Sequence, residues 1–225
     1  MLLTKLLVNP CKLLFSASSF ILVKVITFPA PNDYGTPKTI YGGGIVGLNR
    51  KTIRNAQNRG SMQISNSTYY NSYGRGTLHI GGVSGRNNSN INMCMSEGSM
   101  EITSYVRINY IGGISGTNNK DAVIENCVKK SSISFSPAYS NGDVFSSNMG
   151  GVVGSNSGKV KNSFVIANKI KSSLTIDVGA IIGKNETNAS VVSNTYFNAD
   201  SLSMNSIGSN SGTATSVAGK STKDM

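Results

Sequence analysis

One phrase recurs five times along the chain: a glycine doublet, an aliphatic residue, one variable position, a third glycine and, two residues later, an asparagine. It reads Gly43-Gly44-Ile45-Val46-Gly47-Leu48-Asn49 at first, then Gly81 to Asn87, Gly112 to Asn118, Gly150 to Asn156, and finally Gly179-Ala180-Ile181-Ile182-Gly183-Lys184-Asn185. Self-similarity at this period marks a stacked repeat architecture, because one unit cannot bury its own apolar face and needs its neighbours. The similarity runs beyond the glycines. The segment Ile53 to Ile64 aligns with Ile91 to Ile102 without a gap, and Ile124 to Phe135 follows after two extra residues.

Within each unit the apolar residues alternate, as in Met62-Gln63-Ile64, Met100-Glu101-Ile102, Ile133-Ser134-Phe135 and Leu174-Thr175-Ile176. Alternation is the period of a strand with one face toward a core. Glycine and asparagine separate these short runs, and both accept the left-handed backbone of sharp corners. The chain is therefore expected to be all-β, a right-handed parallel β-helix (β-solenoid) of about five turns. Residues 1–40 are set apart as a signal-like leader or an N-terminal cap. Residues 41–206 hold the repeats, and residues 207–225 form a closing segment.

Parallel stacking sets equivalent residues of successive turns about 4.8 Å apart, so identical side chains form ladders. Asn49, Asn87, Asn118, Asn156 and Asn185 are expected to form a structural ladder in which each amide donates to one neighbour and accepts from the other. Asn55, Asn126, Asn162 and Asn194 are expected to form a second, interrupted by Met93. Charges line up in the same way. Arg54, Asn92, Glu125 and Lys161 share one column, and Arg59, Glu97 and Lys130 share another, a pattern that sets up surface ion pairs between turns.

The motif Gly-Gly-[Ile/Val]-x-Gly-x-Asn, followed by [Ile/Val]-x-Asn-[Ala/Cys/Ser] and Gly-Ser-[Met/Ile], resembles the GLUG-motif repeat. That repeat occurs in large bacterial surface proteins such as filamentous-haemagglutinin-like adhesins, and in non-catalytic parts of some immunoglobulin A peptidases. The run from Asn194 to Met225 is similar to the segment that closes such arrays, so the resemblance spans residues 41–225. Ala180 and Met93 depart from the pattern. The resemblance implies a non-catalytic module of an exported protein, secreted or held at the cell surface in association with the outer membrane, that presents loops for adhesion. A fragment of a polysaccharide-processing β-helix enzyme and a purely structural stalk are the alternatives.

Composition bounds the partners. A charged fraction of 14% with no tryptophan suits an extracellular solenoid, and a net charge of +11 favours anionic partners such as glycans or acidic host surface proteins. The basic residues are spread along the chain with no nucleic-acid-binding module, so no specific nucleic-acid partner is expected. The apolar stretch Leu13 to Val23 is long enough for a signal-peptide core and too short for a transmembrane span.

Nothing points to a cofactor, a metal site or a catalytic residue. His79 is the single histidine and is assigned a surface or packing role, and the phosphate-loop-like run Ala214 to Ser221 lacks the helix such a loop needs. Cys94 and Cys127 occupy equivalent positions in adjacent units and are expected to stack as buried thiols.

Unit length carries the functional expectation. Successive doublets are spaced 38, 31, 38 and 29 residues apart, so the first and third units hold extra residues. The excess falls at about Asn66 to Thr77, with Tyr69, Tyr70, Tyr73 and Arg75, and at Pro137 to Ser147, with Tyr139 and Phe145. Insertions at one point of a repeat emerge on one flank of the solenoid, and these six residues are the expected ligand-binding set.

Overall fold

The computed structural model describes residues 26–28, 39–66, 76–104, 106, 108–137, 146–173 and 177–225. It is an all-β parallel β-helix, in which every strand pairing is parallel. Among the described residues there is no helix, and so none long and apolar enough to cross a membrane.

Each coil passes through four sheets in turn. In the second coil, Thr77–Gly81 leads to Ser84–Asn87, then to the short pair Asn90–Asn92 and Met95–Ser96, then to Met100–Ser104. We call these sides the entry sheet, the asparagine sheet, the broad sheet and the exit sheet. Ile26–Phe28 pairs with Met62–Asn66 on the exit sheet, so the stack reaches back past residue 40. At the other end, Ile207–Asn210 and Thr213–Lys220 extend the asparagine and broad sheets as a partial sixth coil. The phosphate-loop-like run lies in this last strand, which fits its failure to meet that motif's helix requirement.

Registry follows the sequence alignment. Ile91 sits between Ile53 and Ile124, with Val160 and Val192 beyond, and Ile102 sits between Ile64 and Phe135. These inward columns make one continuous core in which Leu78, Ile80, Ile111 and Ile124 are wholly buried. Regular alternation on short strands achieves this with few large side chains, because each residue is covered by its equivalents above and below.

The glycines answer to space rather than to backbone handedness. A Cβ on Gly112 would lie 1.9 Å from the Ser115 carbonyl oxygen, and one on Gly113 would lie 2.0 Å from that of Gly151. The doublet therefore folds the asparagine strand tightly over the entry strand. The third glycine completes the fold: a Cβ on Gly116 would sit 2.6 Å from the Tyr110 carbonyl. Ala180, the one replacement in the doublet column, bonds through its N–H to Asn205, where no further glycine doublet stacks.

The first asparagine column is a continuous amide ladder. Asn49 donates to Asn87 at 2.7 Å, Asn87 to Asn118 at 2.9 Å, Asn118 to Asn156 at 2.8 Å and Asn156 to Asn185 at 2.8 Å. Asn185 passes the chain on to Asn210 at 2.9 Å, a sixth member from the closing segment. The spare lone pairs and N–H groups turn to the corner backbone, as where Asn87 accepts from the Ser89 N–H at 3.2 Å.

The second column differs from expectation. Asn55, Met93, Asn126, Asn162 and Asn194 are in register but exposed, and each has a positive φ between 46° and 55°. They set the bend between the two strands of the broad sheet, so asparagine is there for its tolerance of the left-handed region. Their amides form no ladder among the described residues; Asn126 reaches back to Asn92 at 3.2 Å instead. The residue that follows each of them turns inward and is small: Ala56, Cys94, Cys127, Ser163 and Thr195. Cys94 and Cys127 are free, buried thiols, and each donates to the carbonyl two residues earlier, at 3.3 and 3.1 Å, as the Ser163 and Thr195 hydroxyls also do.

Candidate functional site

The six expected ligand-binding residues, Tyr69, Tyr70, Tyr73, Arg75, Tyr139 and Phe145, lie outside the described residues. The strands that flank their segments are described. Met62–Asn66 and Ile133–Pro137 leave the exit sheet, and Thr77–Gly81 and Ser147–Gly150 begin the entry sheet. Met100–Ser104 and Ile108–Gly112 lie between them, so the feet of the two insertions share one corner, two coils apart. That separation is about 10 Å at strand spacing.

Beside this corner the entry sheet carries a column that points away from the core. Leu78 and Ile80 face inward, so His79 faces out, in register with Tyr41 and Tyr110. The His79 ring lies 5.0 Å from each tyrosine ring, tilted by 34° and 38°. The close fold of the asparagine sheet brings its own outward column alongside. His79 Nδ1 meets Thr117 Oγ1 at 2.7 Å, and the Arg86 guanidinium donates to the Tyr41 hydroxyl at 3.2 Å and to Asn119 Oδ1 at 3.3 Å.

Burial, and then the positive charge of Arg86, lowers the His79 pKa to about 4. The imidazole is neutral at physiological pH, a packed hydrogen-bonding group, which agrees with the packing role expected for it. Further along, Glu186 accepts from Ser155 at 2.7 Å and pairs with Lys184 at 3.0 Å. Burial, with the Glu186 charge second, raises the Tyr110 phenol. The next member of the column, Asn148, is 1% exposed, and among the described residues its amide has no hydrogen-bond partner.

The strip thus packs aromatic rings, a guanidinium and an amide side by side, with His79, Thr117 and Asn148 all buried within it. Tyr41, Arg86, Tyr110, Thr117 and Asn148 are not among the residues expected from the sequence. A signal existed: each of the five units places a ring or polar residue two positions before its doublet, at Tyr41, His79, Tyr110, Asn148 and Asp177. Alternation marks these positions as outward, but only the glycine-mediated approach of the next sheet gives them partners.

On the broad sheet the expected charge columns are in place. Glu97 bridges Arg59 at 3.1 Å and Lys130 at 2.9 Å, and Glu125 bridges Lys161 at 2.8 Å while accepting from Asn92 at 3.0 Å. One charge faces the other way. Lys129 is wholly buried, with its Nζ donating to the Gly98 carbonyl at 2.6 Å and to Ser96 Oγ at 3.4 Å. Its stem fills the space left by Gly113, and burial lowers its pKa to about 7.

Comparison with protein-family models, with curated proteins and with solved structures gives no match.

Proposed function

We propose that this chain is a non-catalytic, GLUG-type repeat module of an exported bacterial surface protein, and that it presents the Tyr69–Arg75 and Tyr139–Phe145 segments for adhesion to anionic glycans or host surface proteins. The observation that carries this reading is the placement of the insertion feet on one corner, two coils apart, next to the Tyr41–His79–Tyr110 column. Two aromatic-rich segments spaced this way give one ligand two contacts, and paired weak contacts raise affinity through effective concentration. Glu97 and Glu125 support a non-catalytic role, since each is tied to a lysine instead of being set against another acid as in a glycosidase pair.

The test is binding to a glycan array and to host cells by the wild type and by a variant with Tyr69→Ala, Tyr70→Ala and Tyr73→Ala. Binding by the wild type that falls at least about tenfold in the variant, with unchanged thermal unfolding, is the expected result for removing aromatic contacts. Equal binding by both proteins would remove the loops from the proposal. A wild type that binds nothing at any ionic strength would favour the structural stalk.

A further inference from the structure

The broad sheet has an outward apolar stripe that neither the core nor the proposed loops use. Along its second band the inward residues are Asn58, Ser96, Lys129, Val165 and Phe197, so the alternate column faces out: Gln57, Met95, Val128, Phe164 and Tyr196, each in register with the next. Four of these five are apolar or aromatic, and four steps at strand spacing make the column about 19 Å long. The Phe164 and Tyr196 rings are 5.9 Å apart. Beside the stripe stand two of the three large hydrophobics exposed among the described residues, Met93 at 42% and Ile166 at 45%.

Charge frames this stripe. Arg54, Lys159 and Lys161 flank it on one side, and Arg59, Lys130 and Lys220 on the other, six basic side chains against the two carboxylates of Glu97 and Glu125. Both carboxylates are already paired within the face. Lys220 Nζ lies 5.5 Å from the centre of the Tyr196 ring, so its charge sits over the end of the stripe.

We propose that the broad sheet docks on an anionic lipid surface, with Met93, Ile166, Met95, Val128, Phe164 and Tyr196 at the acyl boundary and the basic rim against lipid phosphates. Charge complementarity selects this occupant. A second copy of the chain would set one net-positive face against another. A lipid surface asks only for apolar area within a basic rim. The inference does not rest on the adhesion reading and uses neither insertion.

The experiment is co-sedimentation of the full chain with vesicles of phosphatidylcholine alone, and of phosphatidylcholine mixed with phosphatidylglycerol, over a range of sodium chloride. Binding to the mixed vesicles alone, weakened by salt, is expected. The pair Met93→Asn with Ile166→Ser removes two apolar contacts and no charge, so vesicle binding falls about tenfold or more while retention on a heparin column is unchanged. If the pair lowers the melting temperature, Met93→Asn alone gives the same readout with a smaller loss. The proposal is overturned by equal binding to both vesicle types, by binding to neither, or by variants that bind as the wild type does. Concentration-dependent dimers lost in the same variants would overturn it too, and would assign the face to a second copy.

Discussion

Two columns of asparagine run the length of this solenoid, and they are held in place by different physics. In the column from Asn49 to Asn185 the side chain is the working part: each amide is buried, the four from Asn87 to Asn185 are bonded above and below, and Asn210 extends the series. In the column from Asn55 to Asn194 the backbone is the working part, and the amides are exposed. The first column admits no other residue in its six coils. The second accepts Met93, with φ of 53°, and Ser216 takes the same left-handed turn in the last strand, with φ of 54°. A requirement for complementary hydrogen bonds excludes every other side chain, whereas a conformational preference worth about 1 kcal/mol can be overridden.

The sharpest way to break this comparison is Asn118→Leu. It removes the bonds to Asn87 and Asn156 and strands a buried amide group on each neighbour. A loss of about 3–5 kcal/mol is expected in urea unfolding, from two buried polar groups left unpaired. The matching change in the other column, Asn126→Ala, should cost only about 1 kcal/mol. Equal losses at the two sites would erase the distinction.

Lys129 sharpens the same contrast, since its buried amine, unlike the ladder amides, is not repeated in the neighbouring coils, where Ser96 and Val165 hold the equivalent positions. Its folded pKa of about 7 lies below the unfolded value of 10.5, so between these limits the unfolded chain holds the extra proton. Stability is therefore lost as pH falls from 10.5 through 7. The wild type should gain about 1–2 kcal/mol between pH 7 and about 8.5, and Lys129→Met should be flat there. Parallel pH profiles for the two proteins in urea unfolding would show that the amine is protonated in the fold.

The smallest effect is a gain. Met93→Asn places the residue type of the other coils at the strained φ and takes away an exposed apolar side chain, so about 1 kcal/mol of added stability is expected. A rise in the urea midpoint at unchanged slope checks it. A fall would mean that the Met93 side chain, and not the backbone turn, governs this corner.

Much of this architecture is legible in the repeats. Alternation in Met100-Glu101-Ile102 identifies the strand, and the gap-free alignment of Ile53 to Ile64 with Ile91 to Ile102 gives the register that the sheets adopt. The same alignment places Glu97 between Arg59 and Lys130, where both ion pairs form. The candidate site was less legible. Tyr41, His79 and Tyr110 can be aligned by eye, but the bond from His79 to Thr117 joins two sheets, and only the approach made at Gly85 and Gly116 creates it. Lys129 was missed for a related reason: it stands beside the outward Lys130, and in a run of two lysines composition gives no reason to expect one in the core.

Repeat spacing alone sets the period, the parallel stacking, the first asparagine ladder and the charge columns. These are contacts between equivalent residues, and stacking turns sequence spacing directly into neighbours along the axis. Tertiary structure alone decided which asparagines bond and which merely bend the chain, that Lys129 turns inward, and that an apolar stripe faces out between basic rims. Those outcomes depend on the angles at the corners of a coil, where glycine spacing sets how closely two sheets approach, and a repeat period does not encode those angles.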